Sequence, residues 1–109
     1  MKQRRTKAKP KANEALKLGS RLTIAEAAEL HRALLARLMA GEPILIDGTE
    51  VREVDTSVLQ LFVSLWRTAA ARDVAVAWRG VSEALRKSAE LIGVARHIDL
   101  KDSAQLAHA

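Results

Sequence analysis

The stretch "VREVDTSVLQLF", residues 51–62, sets one acid and two hydroxyls, Asp55, Thr56 and Ser57, directly before an apolar helical pattern. Oxygens at that point can do two kinds of work. Asp, Thr and Ser side chains accept hydrogen bonds from the unpaired N–H groups of a helix start, so Asp55 or Thr56 reads as an N-cap. An exposed hydroxyl there can also carry a phosphate, which would face a helix N-terminus whose N–H groups and dipole favour anions. Glu53 and Asp55 would oppose that charge. Thr56 and Ser57 are therefore the candidate modification sites.

The other reactive residue types form no site by spacing. Asp47, Glu50, Glu53 and Asp55 cluster around one loop, and paired carboxylates can do acid–base work. Without a glycine-lined pocket or cationic partners nearby, they read as a solvated acidic rim. His31, His97 and His108 lie far apart, with no HExxH spacing. His31 falls inside the apolar face of a helix and reads as a core or edge histidine. With no Cys in the chain, disulfides, thiolate metal sites and a Cys nucleophile are excluded. Neither GxxxxGK[ST] nor GxGxxG occurs. The expectation is a protein without catalytic residues, metal or cofactor.

The elements that would position the triplet follow from pattern. "EALKLGSRLT" (14–23) reads as a short hairpin turning at Gly19-Ser20. "TIAEAAELHRALLARLMAG" reads as a helix with Thr23 and Glu26 at capping-box spacing, Ile24, Ala27, Leu34, Leu35 and Leu38 on one face, and Gly41 as its stop. "PILIDG" (43–48) is a short apolar run that predicts a strand buried on both faces. A helix is expected from about Val58 to Ala71, then a buried strand at "DVAVAWRG" (73–80). A third helix at 81–93 has Ser82 as cap and Gly93 as stop. "VARHIDL" (94–100) fits a helical turn or a small edge strand. Alternating strands and helices imply an α/β fold, a mixed sheet of about four to five strands with helices packed over it.

The charge is unevenly placed. Six of the 18 Lys/Arg and none of the 13 Asp/Glu fall in residues 1–13, so the rest of the chain is near neutrality. Residues 1–13 read as a disordered basic tail, 14–100 as the folded domain, and 101–109 as a C-terminal tail. Such a tail could attract nucleic acid or anionic lipid, but a plain solvated extension is the preferred reading. With no membrane-length apolar run and no signal-peptide core, the expectation is a soluble, cytoplasmic protein.

The second helix is apolar over a wide arc. Val58, Leu61, Phe62, Leu65 and Ala69 suffice to cover a sheet, and Leu59, Val63, Trp66 and Ala70 form a second ridge. That ridge must be buried against another helix or against a partner, which includes a second copy of the chain. Trp66 is the residue to follow, because Trp is enriched at interface hot spots.

Three segments, "LTIAEAAELHRALLARL", "ILIDGTEVREVDTSVLQLF" and "VAVAWRGVSEALRKSAELIGV", resemble in order and spacing a STAS domain over roughly residues 14–100. The family carries an acid and a phosphorylatable hydroxyl at the start of its second long helix. Asp55 matches the acid, Thr56 the phosphorylated position, and Ser57 the following hydroxyl. Val58 stands where the family usually has Gly, and its bulk bears on how closely a partner approaches. The resemblance implies a small stand-alone bacterial interaction module, similar to anti-sigma factor antagonists. Its partner would be a serine/threonine kinase anti-sigma factor or a chemotaxis-type signalling kinase, bound through Asp55, Thr56, Leu59, Val63 and Trp66. The alternative branch is a small STAS subunit docked on the ATPase of a phospholipid-transporting ABC complex. Neither branch implies specific nucleic-acid binding or membrane insertion.

Overall fold

The computed structural model describes residues 14–100. Both tails expected from the sequence, 1–13 and 101–109, lie outside the described residues. The strands are β1 (Leu16–Lys17), β2 (Arg21–Leu22), β3 (Ile44–Gly48), β4 (Glu53–Val54) and β5 (Val76–Val81). The helices are α1 (Ile24–Ala40), α2 (Thr56–Ala71) and α3 (Glu83–Leu91), followed by a 3₁₀ turn at Ala95–Ile98. This is the α/β architecture expected, with every strand pairing parallel.

The pairing corrects two expectations. Among the described residues the ladders are all parallel and fall in two groups, where one mixed sheet was expected, and the expected hairpin does not form. Residues 16–22 do not fold back as a hairpin. β1 pairs with β3 (Leu16↔Ile46), and β2 pairs with β4 (Leu22↔Val54), giving a three-stranded ladder β1-β3-β5 and a two-stranded ladder β2-β4. The segment instead runs extended past Gly19-Ser20. Leu18 N–H donates to the Asp47 carbonyl, and Arg52 and Glu53 N–H both donate to the Ser20 carbonyl. A hairpin would pair these groups with each other. The extended path pairs them with 44–54 and lets Leu18 and Leu22 both enter the core.

β3 is the central strand, and its residues alternate between the core and a half-buried face. Ile44 and Ile46 join Phe62 of α2, Leu34 and Leu38 of α1 and Leu85 of α3 in one apolar core. The structure thus corrects the doubly buried reading of "PILIDG". β5 likewise is an edge strand with alternating exposure, not a buried one. The helices contribute to one core on one side of the sheet, so the opposite side chains stay partly wet. Arg79 is an extra residue on β5, because Ile46 pairs with Trp78 but Asp47 with Gly80. Gly48 is required where β3 meets α3: a Cβ there would lie 2.8 Å from Leu85 Cδ2.

Local signals hold at the helix ends. Thr23 precedes α1, its N–H donates to Glu26 Oε1 at 3.0 Å, and Gly41 closes the helix in the left-handed region at φ 72°. Ser82 Oγ accepts Leu85 N–H at 3.0 Å at the start of α3. The face of α1 is narrower than the pattern implied. Leu34 and Leu38 are buried, whereas Ile24 and Leu35 are exposed, and His31 is exposed beside them.

Candidate functional site

The parallel β2-β4 ladder positions the triplet. Leu22 and Val54 are the last paired residues, so the next residues, Thr23 and Asp55, leave the ladder side by side. Each is the residue before a helix, and Asp55 N–H donates to the Leu22 carbonyl at 2.8 Å. α1 and α2 therefore start together at one edge of the fold.

Asp55 occupies the N-cap position of α2, and its carbonyl accepts Val58 and Leu59 N–H. Its carboxylate does not cap that helix. Oδ2 accepts the N–H of Ile24, the first residue of α1, at 2.9 Å. One acid thus ties the starts of two helices, and no side chain caps the first turn of α2. α2 begins at Thr56, two residues earlier than the apolar pattern indicated, because the Asp55 carbonyl already accepts the first helical N–H groups. Sequence reasoning placed the acid at a helix start; which helix it serves depends on strand register.

Thr56 and Ser57 are both exposed. They point along different stripes of α2. Thr56 shares its side with Gln60 and Arg67, which face solvent, while Ser57 shares its side with Leu61, Ser64 and Thr68 toward α1. Val58 is fully buried at 0% exposure. Its bulk lies in the core, which corrects the expectation that it stands in a partner's way.

The second ridge of α2 is mostly used inside the domain. Leu59 is 1% exposed, and Val63 and Trp66 pack half-buried against the core. Trp66 stacks on Trp78 with ring centroids 5.3 Å apart, and its Nε1–H donates to Asp99 Oδ2 at 3.2 Å. Trp78 in turn meets Phe62 edge to face and donates to the Ile98 carbonyl. Ala70 alone of that ridge is fully on the outside.

The neighbouring acids are each engaged separately. Glu50 pairs with Lys17 at 3.4 Å and Glu53 with Arg21 at 2.8 Å, both on the surface. Asp47 Oδ1 accepts the Thr49 N–H at 3.0 Å and its hydroxyl at 2.7 Å. These two bonds, the backbone one first, hold its carboxyl below the usual range. The arrangement is a rim of individually bonded carboxylates, which gives no facing pair to share a proton.

A feature that sequence reasoning missed lies on the other flank of α2. Where α1 and α2 run side by side, His31, Leu35, Leu61, Ser64 and Thr68 line a small open groove of ≈ 90 Å³ floored by Leu34, Leu38 and Leu65. The available signal was Leu35 and Met39, apolar residues beyond the stripe that the core needs.

Three helices packed on parallel strands make an α/β fold consistent with a STAS-type domain. A family model described as "Mlab, STAS domain" matches residues 6–102, and the chain belongs to that STAS family. It is thus a member of a family of protein-interaction modules that are in general non-catalytic. No curated protein matches the chain. Among the described residues, no helix is long and apolar enough to cross a membrane.

Proposed function

We propose that the chain is a switchable binding module whose docking edge is the start of α2, and that its partner is a serine/threonine kinase anti-sigma factor or a related signalling kinase. The observation that carries this reading is the exposed Thr56 at the first position of a helix whose first turn no side chain caps. A phosphate on Thr56 adds about −1.5 to −2 charges. It would meet free N–H groups and the positive helix end, worth about 0.3–1 kcal/mol. Glu53 and Asp55 oppose that charge in part, so the net effect on the domain is small, and the added charge and bulk act on the partner instead. Asp55 orients the edge by holding α1 beside it. Leu59, Val63 and Trp66 enter the proposal as the packed support of α2 more than as contact residues.

The test is an affinity capture from the native host's lysate with wild type and Thr56→Glu in parallel, read by mass spectrometry. A serine/threonine kinase anti-sigma factor or signalling kinase held by wild type and lost by the variant supports the switch. Equal capture by both forms refutes a switch at Thr56. A second reading rests on Thr56 following Asp55, as in the transporter-associated branch that the sequence resembles. There the domain would bind the ATPase of a phospholipid-transporting ABC complex, and capture of an ABC ATPase with its permease, unaffected by phosphatase, would establish it.

A further inference from the structure

Residues 1–13 carry six Lys/Arg and no acid, and the switch makes no use of them. They join the domain at Glu14, whose carbonyl accepts an Arg37 Nη1–H at 2.8 Å. At about 3.3–3.6 Å per extended residue they reach up to roughly 45 Å from that point. They can therefore meet a ligand held at any face of a domain this small.

A second feature without a role is the end of α3. Leu91, its last residue, is 87% exposed, and Ile92 beside it 39%. Gly93 then turns the chain in the left-handed region at φ 79°, which leaves the aliphatic pair at the corner of the turn. The core side of α3 is held by Leu85 and Ala89, so Leu91 is spare to it. Single exposed aliphatics are ordinary, whereas an adjacent pair on a projecting corner asks for a use. The corner itself carries no excess of either sign. Apart from His97, residues 82–100 hold Arg86, Lys87 and Arg96 against Glu83, Glu90 and Asp99. The charge that selects a ligand comes from residues 1–13.

A cationic segment and a bare aliphatic corner on one small domain narrow the ligand. Nucleic acid attracts the first and offers nothing to the second. A protein surface needs a shaped pocket for a corner that projects and buries little area. An anionic bilayer meets both. Its headgroups attract Lys and Arg, and its fluid interface closes over aliphatic side chains with no shape to match.

We propose that the domain adsorbs to anionic lipid bilayers, with residues 1–13 against the headgroups and Leu91 and Ile92 entering the interface. The Thr56 edge stays free in this arrangement. α3 begins near that edge, because it packs on β4 and the Ser82 N–H donates to the Gly48 carbonyl. Leu91 lies nine residues on, roughly 13 Å along the helix axis. The proposal is independent of the switch, and its failure leaves that reading untouched.

The test is co-sedimentation of the full chain with vesicles of phosphatidylcholine alone and of phosphatidylcholine with phosphatidylglycerol. Binding should require the anionic lipid and fall as salt rises. Lys7→Gln, Lys9→Gln and Lys11→Gln together should weaken it about a hundredfold, since each Lys near an anionic surface is worth about fivefold. Leu91→Ser should weaken it about tenfold, with an unchanged thermal melt because the side chain is exposed. Absence of binding to anionic vesicles, or equal binding to neutral ones, overturns the proposal. Binding that both Leu91→Ser and Ile92→Ser leave unchanged also overturns it, because the basic segment then acts alone. Tighter binding to a random-sequence DNA duplex than to vesicles, indifferent to Leu91→Ser, assigns residues 1–13 to nucleic acid and overturns it as well.

Discussion

Replacing Asp55 by Ala tests whether one carboxylate joins the two helix starts. In the structure its Oδ2 accepts the Ile24 N–H at 2.9 Å, and nothing else caps that amide. Losing a capping acceptor costs about 1 kcal/mol. Losing the negative charge beside two helix N-termini adds about 0.3–1 kcal/mol, at the lower end here because the site is exposed. The sum is roughly 1–2 kcal/mol, which for a domain of this size lowers the Tm by about 5–15 °C. A melt alone would not say which helix was capped. Amide exchange read residue by residue by NMR does. The Ile24 amide should exchange roughly tenfold faster in Asp55→Ala, since tenfold corresponds to about 1.4 kcal/mol, while the first turn of α2 changes little. Asp55→Asn keeps an acceptor oxygen and should lose no more than about half as much stability. If the Ile24 amide exchanges alike in wild type and Asp55→Ala, or the loss appears in α2, the crossed cap is refuted.

Two further predictions follow from the same contacts. Trp66→Ala removes a half-buried ring stacked at 5.3 Å on Trp78 and the bond to Asp99. It should destabilise by about 2–3 kcal/mol, below the cost for a fully buried Trp. Trp66→Phe should recover most of that in a thermal melt, and a wild-type melt for Trp66→Ala would contradict the packing role. The second concerns acid. Glu26 is held below its ordinary value of 4.5 by the Thr23 hydroxyl and then its N–H, and Asp47 below 3.8 by the Thr49 N–H and then its hydroxyl. Folded values below unfolded ones mean that the stability they add is complete above those values and is lost as the pH falls through them. The urea midpoint should therefore drop below about pH 4.5, and Thr49→Val should make the drop shallower. A midpoint flat into that range would contradict the assignment.

The local parts of this protein were legible in the sequence because they depend on neighbours a few residues away. Thr23 with Glu26, Gly41, Ser82 and Gly93 mark helix ends through bonds and backbone angles closed within one turn. The apolar periodicity of α2 and the "Asp-Thr-Ser" start were readable for the same reason. Strand partnership was not. Leu16–Lys17 and Arg21–Leu22 have hairpin spacing, yet each finds a partner about thirty residues away because extended pairing with 44–54 buries Leu18 and Leu22 together. The same long-range register carries the Asp55 carboxylate to α1 and not to its own helix. It also decides the fate of the two flanks of α2. Trp66 is drawn inward by Trp78 and Asp99, which no periodicity in α2 can announce. Leu35 and Met39 are left outside because α1 meets α2 along a single stripe. Sequence thus determined which residues form helices and where a hydroxyl is presented. Only the tertiary packing decided which apolar surface remains exposed, since exposure belongs to the assembled layers and not to any one element.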